Sequence, residues 1–252
     1  MNKNLAIVIL AAGKGKRMQS LDKPKVMFEM LGKPMLEYVV ETALKFFPSK
    51  IIIIVGWQKE VILNYFQKKN YYKQIEFIEQ KEQLGTGHAI LQTKNALNSF
   101  YGNVLILSGD VPLLSSETIS KLLEKHNTTN ATATILTAKI DNPFGYGRII
   151  LNTNGDVEKI VEEKDTNENQ KKMNEINSGV YLFNRKNLFD ALNFISPNNS
   201  QKEYYLTDVF TFFNSNEKKI SSYITNNLVE VLGVNTVEDL DSLQKILLEN
   251  GK

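Results

Sequence analysis

Two glycines and several cations follow the first apolar run of the chain, in the segment Leu-Ala-Ala-Gly-Lys-Gly-Lys-Arg-Met at 10–18. Gly13 and Gly15 allow the backbone to approach a ligand and to point its N–H groups at it, which suits phosphate oxygens. More cations stand in the tripeptide Lys-Pro-Lys at 23–25. Because the charges of a triphosphate need fixed cations, this pattern predicts a cradle for a nucleoside triphosphate. A flexible basic turn is the alternative.

Two common phosphate-binding loops do not fit this segment. A dinucleotide-binding loop would need a third glycine where the chain has Met18, and an acidic residue near the position of Lys33. A Walker A loop would need Gly-Lys followed by Ser or Thr, and no such sequence follows at the required spacing. A triphosphate cradle of another kind and the flexible basic turn therefore both remain.

A second polar segment, Glu-Gln-Lys-Glu-Gln-Leu-Gly-Thr-Gly-His-Ala at 79–89, lies between a predicted strand and a predicted helix. Gly85 and Gly87 permit a tight turn against a flat ligand, and Thr86 is suited to cap the helix. The alternative interpretation is an ordinary polar loop at the start of a helix.

The amide of Gln80 offers an acceptor and a donor, which match the N3–H and O4 of uracil. A rotated amide would serve cytosine as well, so Gln80 by itself leaves the base open. His88, in the same segment, is interpreted as a capping or packing histidine rather than as a base.

A third segment, Val-Leu-Ile-Leu-Ser-Gly-Asp-Val-Pro at 104–112, ends a hydrophobic run with a carboxylate. Asp110 stands where the strands of an α/β sheet present carboxylates to a metal ion. The alternative role for Asp110 is to cap the next helix.

The composition excludes several kinds of chemistry. The 252 residues contain no cysteine and only two histidines, so a metal ion would be a hard one held by oxygen ligands. A formal net charge of +2 without a basic block argues against nucleic acid as a partner. The apolar run at 5–10 is too short for a signal peptide or a membrane span, and we expect a cytoplasmic protein with no membrane partner.

The first half of the chain alternates strands with helices. Short β-branched runs predict strands at 5–10, 51–55, 75–78 and 104–107, and apolar residues at helical spacing predict helices at 34–47, 60–66, 86–97 and 115–126. Such alternation is typical of an α/β fold with a doubly wound, mostly parallel, Rossmann-like sheet.

After residue 130 the pattern changes. Strands are predicted at 131–139, 148–151, 157–163 and 180–183, helices at 185–194, 206–214 and 237–250, and an exposed loop at 166–172. We expect a single domain over 1–252, with a nucleotide-binding half (1–130), a sugar-binding half (131–235) that includes a small antiparallel lid region, and a C-terminal helix (236–252).

Jointly, these segments resemble the sugar-1-phosphate nucleotidyltransferase family, and within it the uridylyltransferase half of the bacterial bifunctional enzyme that makes UDP-N-acetylglucosamine. The resemblance rests on the three segments above. It continues through Asn-Pro-Phe-Gly-Tyr-Gly-Arg-Ile at 142–149, Ile-Val-Glu-Glu-Lys-Asp at 160–165, Glu-Ile-Asn-Ser-Gly at 175–179, Glu-Tyr-Tyr-Leu-Thr-Asp at 203–208 and Gly-Val-Asn at 233–235. The motifs run in the family's order across the whole chain.

The resemblance implies a role for individual residues. It implies catalytic contacts to the nucleotide phosphates from Arg17 and Lys25, and coordination of Mg²⁺ by Asp110 and Asn235. The nucleotide-binding set that it implies is Leu10, Ala11, Ala12, Gly13, Gln80, Gln83, Gly85 and Thr86. The sugar-binding set that it implies is Gly147, Glu162, Asn177, Tyr205 and Thr207.

Two departures from the family pattern stand out. Ser108 occupies the position where the family usually has a tyrosine, so one contact on the nucleotide side is expected to be lost or replaced by water. The hexapeptide repeats of the left-handed β-helix acetyltransferase domain do not occur in this sequence. We therefore expect no acetyltransferase activity and no trimer built through that β-helix, while another homo-oligomer stays open.

The function that the resemblance implies is the reaction of UTP with N-acetylglucosamine-1-phosphate to give UDP-N-acetylglucosamine, a peptidoglycan and lipopolysaccharide precursor, and pyrophosphate. A phosphate oxygen of the sugar would attack the α-phosphorus of UTP in line, assisted by Mg²⁺. Two alternatives remain at this point. One is a sibling transferase that uses another sugar, or CTP with phosphocholine, and the other is a non-catalytic regulatory module that binds a sugar nucleotide.

Overall fold

The computed structural model describes residues 2–15, 18 and 22–249, and its centre is a nine-stranded mixed sheet. The strands are β1 (Asn2–Ala11), β2 (Glu29–Met30), β3 (Lys33–Pro34), β4 (Pro48–Val55), β5 (Ile75–Glu79), β6 (Asn103–Ser108), β7 (Ala133–Lys139), β8 (Arg148–Leu151), β9 (Val157–Val161), β10 (Glu175–Asn184) and β11 (Ile220–Ile224). The main sheet runs in the order β11-β7-β10-β6-β1-β4-β5, with β8 and β9 attached to β10, and β2 and β3 form a separate antiparallel pair.

Eight helices connect or cover these strands in the described part of the chain. They are α1 (Met35–Leu44), α2 (Lys59–Phe66), α3 (Thr86–Leu91), α4 (Ser116–Thr129), α5 (Glu168–Lys171), α6 (Arg185–Leu192), α7 (Asp208–Ser215) and α8 (Val237–Glu249). None of them combines the length and the apolar character that crossing a membrane requires.

Strand β1 shows why the sheet carries a core on each face. Its side chains alternate, so that Ile7 and Ile9 join the cluster that packs under α1, whereas Ala6 and Val8 join the cluster under α3 and α6. All four residues are fully buried. A central parallel strand that is buried on both faces reads as a continuous apolar run, which is how the run at 5–10 was recognised.

The carboxyl ends of the central strands meet at one edge of the sheet. β1 pairs in parallel with β6, where Leu10 lies opposite Ser108, and with β4, where Ala11 lies opposite Val55. Because parallel strands end together, the glycine-rich segment after β1 and the Gly-Asp pair after β6 are neighbours in space. The main-chain N–H of Gly109 donates to the carbonyl of Leu10 at 2.9 Å, which fixes that contact.

The predicted α/β, mostly parallel fold is confirmed, and the antiparallel region is part of the same sheet. β10 runs antiparallel to both β6 and β7, and the β8–β9 hairpin pairs with β10 through Arg148 and Ile176. Strand β10 begins at Glu175, five residues before the predicted strand at 180–183. The extra residues carry the polar motif at 175–179, which hid the strand from a search for apolar runs.

Several smaller elements differ from the prediction. β11, which pairs in parallel with β7, and the short β2–β3 pair were not predicted. The segment at 166–172 contains a one-turn helix, α5, closed by a capping box from Asn167, instead of being a loop throughout. Helix α3 ends at Leu91 rather than at residue 97, and turns rich in Asn and Ser, which favour turns over helix, follow it.

Helix α8 is anchored next to the site-bearing edge of the sheet. Leu240, Leu243 and Leu247 pack against Met30 and Val234 in a third apolar cluster. The N–H of Val234 also donates to the carbonyl of Asp110 at 2.9 Å. This packing holds residues 233–235 beside the end of β6, although they are far away in sequence.

A buried histidine on α4 makes the stability of the fold depend on pH. His126 is 4% exposed, its Nδ1 lies 2.8 Å from the Thr134 hydroxyl, and burial lowers its pKa from 6.5 to about 4. The unfolded chain therefore takes up a proton between about pH 6.5 and 4 that the folded chain excludes, so stability is full above that range and falls as the pH drops.

We expect acidification from pH 7 to pH 5 to cost the wild type about 2 kcal/mol of unfolding free energy through His126. His126→Gln should be less stable at pH 7 but should lack this part of the pH dependence. Urea unfolding of both proteins at the two pH values measures the difference, and an equal loss in both proteins would contradict the assignment.

Candidate functional site

A cavity of about 450 Å³ opens at the carboxyl edge of the sheet. It lies where the segments after β1, β5 and β6 meet. Its lining includes every residue of the predicted nucleotide-binding set, Leu10, Ala11, Ala12, Gly13, Gln80, Gln83, Gly85 and Thr86, and it also includes Lys25 and Asp110. Arg17, the other predicted catalytic residue, lies outside the described residues.

Gly15 determines how closely the glycine-rich segment approaches Lys25. Its φ is +59°, in the left-handed region, and a Cβ built on it would lie 2.5 Å from the Cβ of Lys25. Only glycine adopts this φ readily and leaves room for the Lys25 side chain without a shift of the backbone. The first turn after β1 is thereby packed directly against the stem of Lys25.

The ammonium of Lys25 lies between two oxygens from distant parts of the chain. Its Nζ forms a short ion pair with Oδ2 of Asp110 and donates to Oδ1 of Asn235 at 3.2 Å. The side chains of Lys25 and Asp110 are only 15% and 24% exposed, so the pair is partly screened from water. The structure thus brings together the predicted phosphate-binding lysine and the two predicted metal ligands.

Neither of the two predicted metal ligands serves as a helix cap. Helix α4 is capped by Ser115, whose hydroxyl accepts from the N–H of Thr118 at 3.1 Å. Helix α8 begins with a reciprocal pair in which Thr236 accepts from the N–H of Asp239, and the Asp239 carboxylate accepts from the N–H groups of Asn235 and Thr236. The capping alternative therefore does not explain the side chains of Asp110 and Asn235.

The donor set around this position suits a hard divalent cation. A carboxylate oxygen and an amide oxygen already hold one cation, the Lys25 ammonium, and both are ligand types that Mg²⁺ accepts. No group of three or more histidine or acidic side chains that could hold a metal is found among residues 2–15, 18 and 22–249. A metal at Asp110 and Asn235 would therefore have to complete its shell with substrate oxygens or water.

Two glutamines predicted to contact the base, Gln80 and Gln83, line the first cavity. Gln80 is 4% exposed, and its amide nitrogen donates to the Gly85 carbonyl at 3.0 Å. Gln83 in turn donates from Nε2 to the backbone carbonyl of Gln80 at 2.9 Å. The two predicted base contacts are thus connected and held against the turn at Gly85.

Thr86 differs from its predicted capping role. It is the first residue of α3, the cap position is taken by Gly85 with φ +109°, and the Thr86 hydroxyl accepts from the N–H of Leu206 at 2.9 Å. The polar group is used to join two loops instead of closing a helix end.

The loop at 84–87 is hydrogen-bonded to the motif at 203–208. The N–H of Gly87 donates to the Tyr204 carbonyl, and the N–H of Tyr204 donates to the Leu84 carbonyl, both at 2.8 Å. A Cβ on Gly85 would lie 2.6 Å from the Tyr204 carbonyl oxygen, so the two backbones touch here. Glycine is needed for this close approach.

A second cavity, of about 370 Å³, lies on the other side of Asp110. Of the predicted sugar-binding residues, Gly147, Glu162 and Asn177 line it, and Asn235 lines it as well. The Thr207 hydroxyl reaches its edge by donating to Glu162 Oε1 at 2.9 Å. Tyr205 is buried, its hydroxyl accepts from Gln201, and it lines neither of these cavities.

Two carboxyl groups at or near this second cavity have a raised pKa. Burial raises the pKa of Glu162, an effect that the Thr207 hydroxyl opposes and that the nearby Asp208 strengthens. Burial and the charge of Asp165 raise the pKa of Asp208 to about 6.

Sequence reasoning missed two tyrosines that line the second cavity. Tyr181 was taken for part of an apolar strand, yet its hydroxyl accepts from the Asn177 amide at 2.6 Å. Tyr146 stood in a recognised motif without a role, and its hydroxyl accepts from the N–H of Gly233 at 3.4 Å. The sequence signal that could have identified Tyr146 is its position between two glycines, in Gly-Tyr-Gly at 145–147.

A buried ion pair supports this wall of the cavity. Arg148 is 1% exposed, and its Nη2 lies 2.8 Å from Oε2 of Glu163, next to Glu162 in sequence. A buried arginine needs such a partner, because its charge cannot be neutralised by losing a proton. The pair fixes the end of β9, from which Glu162 faces the cavity.

The two cavities are continuous. Leu10, Thr86, Ser108 and Asp110 line both of them. Ser108, the departure from the family pattern, lies at this junction, and its hydroxyl donates to the Gly179 carbonyl at 3.3 Å. The geometry is that of two connected pockets, one lined by the predicted nucleotide-binding residues and one by predicted sugar-binding residues, that meet at Asp110.

This fold and site define a nucleotidyltransferase, and the chain belongs to the nucleotidyl transferase family, whose model matches residues 6–228. It is 43% identical over 240 residues to the bifunctional protein GlmU of Streptococcus uberis (strain ATCC BAA-854 / 0140J), covering 95% of this chain and 51% of that protein. It is 46% identical over 242 residues to the bifunctional protein GlmU of Geobacillus sp. (strain WCH70), covering 96% and 51%. The chain thus spans about half the length of these relatives.

Solved structures support the same fold. A UDP-glucose pyrophosphorylase complexed with UDP-glucose superposes with a TM-score of 0.79, at 20% sequence identity, over 99% of this chain and 100% of that one. The apo form of a UDP-glucose pyrophosphorylase gives a TM-score of 0.77. At this level of identity the likeness concerns the fold alone.

The position of Lys25 predicts competition with a divalent cation. Because the ammonium and the metal would share the oxygens of Asp110 and Asn235, Lys25→Ala should bind Mn²⁺ at least about tenfold more tightly than the wild type when no nucleotide is present. Lys50→Ala, which breaks a surface ion pair with Glu76 near the amino end of β4, is the matched control. Water-proton relaxation titrations measure the affinities, and equal values in all three proteins would contradict the prediction.

Proposed function

We propose that the protein is a uridylyltransferase that forms UDP-N-acetylglucosamine and pyrophosphate from UTP and N-acetylglucosamine-1-phosphate. The observation that carries the proposal is the meeting of two continuous cavities at Lys25, Asp110 and Asn235. The sequence identity of 43–46% to the N-terminal part of bifunctional GlmU proteins supports the choice of substrates.

The nucleotide would lie in the first cavity with its base at Gln80 and Gln83. Its phosphates would then lie between the backbone of residues 12–15 and the ammonium of Lys25. Backbone N–H groups and one fixed cation are suited to hold a triphosphate and to stabilise the negative charge that develops on it during the reaction.

The sugar phosphate would enter from the second cavity, lined by Gly147, Glu162 and Asn177. Its phosphate oxygen would attack the α-phosphorus of UTP, forming the new P–O bond as the bond to pyrophosphate breaks. That oxygen is already anionic at neutral pH, so the reaction needs no general base, and none of the described residues is placed as one. Positioning and charge neutralisation carry the catalysis.

Asp110 and Asn235 would hold Mg²⁺, which supplies neutralisation of the phosphate charges when it is bound. Lys25 would then be released from these oxygens, and its ammonium would be free to meet the phosphates. Without substrate, Lys25 would hold Asp110 and Asn235 in place. With substrate, Asp110 and Asn235 would bind the metal ion and Lys25 would neutralise phosphate charge.

The proposal for the domain organisation follows from the same site. Residues 1–130 supply the nucleotide side, residues 131–235 supply the sugar side, and α8 supports Asn235 from behind. A non-catalytic sensor would have little need for Lys25, Asp110 and Asn235 at one point. A transferase that uses another sugar or base would need the same three residues. Only a measurement of substrate preference therefore separates it from the proposed enzyme.

Substrate choice is measured by pyrophosphate release over a panel of nucleoside triphosphates and sugar-1-phosphates. We expect UTP with N-acetylglucosamine-1-phosphate to exceed every other pair in kcat/KM by at least about tenfold, which corresponds to about 1.4 kcal/mol of transition-state binding. A higher value for dTTP with glucose-1-phosphate would overturn the proposal.

Loss of the site's lysine should affect the chemical step. Lys25→Ala should lower kcat by roughly a hundredfold or more, because a charge that meets the developing phosphate charge is removed. Circular dichroism should show an unchanged fold, since the side chain lies at a cavity wall. A kcat within a few fold of the wild type would mean that the lysine only neutralises Asp110.

The two oxygen ligands should differ in importance. Asp110→Asn removes the anionic ligand and should abolish turnover almost completely, whereas Asn235→Ala removes a neutral ligand and should raise the Mg²⁺ concentration needed for half-maximal rate with a milder loss. Thermal melts run beside Mg²⁺ titrations of both variants. A variant that melts lower yet turns over normally at ordinary Mg²⁺ would show a purely structural role.

A further inference from the structure

The amide of Gln80 has both of its N–H groups engaged inside the protein. Its Nε2 lies 3.0 Å from the Gly85 carbonyl oxygen and 3.0 Å from Nδ1 of His88. A backbone carbonyl only accepts hydrogen bonds, so the amide atom that faces Gly85 must be the NH₂ group. The orientation of this buried amide is therefore determined by its neighbours.

The imidazole of His88 completes this arrangement only in one tautomer. Its Nδ1 must accept from Gln80, so the proton must be on Nε2. Gln92 competes for the same ring, because its Nε2 lies 3.1 Å from His88 Nε2 and 3.0 Å from the His88 carbonyl. A neutral imidazole has one acceptor nitrogen and cannot accept from both amides.

The burial of the two glutamines determines which of them donates to the acceptor nitrogen of His88. Gln80 is 4% exposed and has no water to replace a lost partner, whereas Gln92 is partly exposed and can turn its amide oxygen toward Nε2–H or bind water. An unpaired buried N–H costs more than an unpaired exposed one. The acceptor nitrogen of His88 therefore belongs to Gln80.

We propose that His88 is a positioning residue that sets the pyrimidine preference of the site by locking the Gln80 amide. This rests on the proposed function only in taking the first cavity as the nucleotide site. With both N–H groups engaged, Gln80 offers the base its oxygen alone. Uracil presents a matching N3–H, whereas cytosine presents an N3 lone pair, and two acceptors would face each other.

The lock makes a distinction that ordinary shape selection would not make. Uracil and 5-methyluracil both carry N3–H, so the locked amide accepts both and rejects only cytosine. Without His88 the Gly85 carbonyl alone would hold the NH₂ group of Gln80. Rotating the amide to present an N–H to the cytosine N3 would then break one hydrogen bond instead of two. Removing His88 should therefore help CTP, and not merely weaken UTP.

The first test reads the tautomer in the unmodified protein. The chain has two histidines, and the His126→Gln variant assigns their signals. Long-range ¹H–¹⁵N spectra at pH 8 should show His88 with a pyridine-like Nδ1 and a protonated Nε2. A protonated Nδ1 would overturn the proposal without the need for any variant at His88.

The second test measures selectivity. Binding of UTP, CTP and 5-methyl-UTP is measured by calorimetry, and turnover with each by pyrophosphate release, for the wild type, His88→Leu, His88→Asn and Gln92→Leu. We expect His88→Leu to lower the UTP-to-CTP preference at least about tenfold. His88→Asn, whose Oδ1 can replace Nδ1 as the acceptor, should restore the preference to within about threefold, and Gln92→Leu should leave it unchanged. The ratio of 5-methyl-UTP to UTP should stay constant throughout.

The outcomes separate the lock from the proposed function. A folded His88→Leu that loses affinity for UTP and CTP equally would overturn the lock and leave the uridylyltransferase proposal intact. A wild type that binds UTP over CTP but releases no pyrophosphate with any sugar-1-phosphate would overturn the proposed function, while the binding ratios would still test the lock. A wild type without preference for UTP would overturn the lock.

Discussion

The ammonium of Lys25 lies between oxygens of two residues that are 85 and 210 positions away from it in the chain. Three separate segments therefore have to arrive at one point, and the rest of the architecture serves that requirement. The parallel pairing of β1 with β6 aligns the ends that carry the glycine-rich segment and Asp110. The packing of α8 on Val234 brings up the third segment, with Asn235. The positive charge of Lys25 therefore meets its two oxygen partners only when both the strand pairing and the packing of α8 are in place.

Electrostatics divides the site into two unlike halves. On the proposed nucleotide side the described residues offer a cation and backbone N–H groups, which suit a polyanion. On the proposed sugar side they offer the partly buried carboxyl of Glu162, whose pKa is raised, and amide and phenol groups such as those of Asn177 and Tyr181. These groups suit the neutral, hydroxyl-rich ring of a sugar phosphate. The single acidic residue shared by the two cavities, Asp110, lies at the boundary, where a phosphate of each substrate would meet.

Much of the fold could be predicted from the sequence because buried strands such as β1 are continuous apolar runs with glycines after them. The three segments around the first cavity were found for a similar reason, since they follow β1, β5 and β6. Other features were hidden by their chemistry. The polar start of β10 does not look like a strand, and the use of Thr86 as an acceptor for Leu206 depends on a partner 120 positions away. The contact between Lys25 and Asn235 likewise depends on tertiary packing, which the periodicity of apolar residues does not predict.

The close backbone contact between the loop at 84–87 and residues 204–206 limits how this protein can diverge or be redesigned. The loop proposed to face the base and the segment proposed to support the sugar pocket share three hydrogen bonds, and Gly85 leaves no room between them. A base-recognition loop transplanted from a relative would meet a surface shaped for another sequence. Exchanging the nucleotide preference by grafting would therefore require residues 203–207 to move with the loop, so the two specificities form one exchangeable module rather than two.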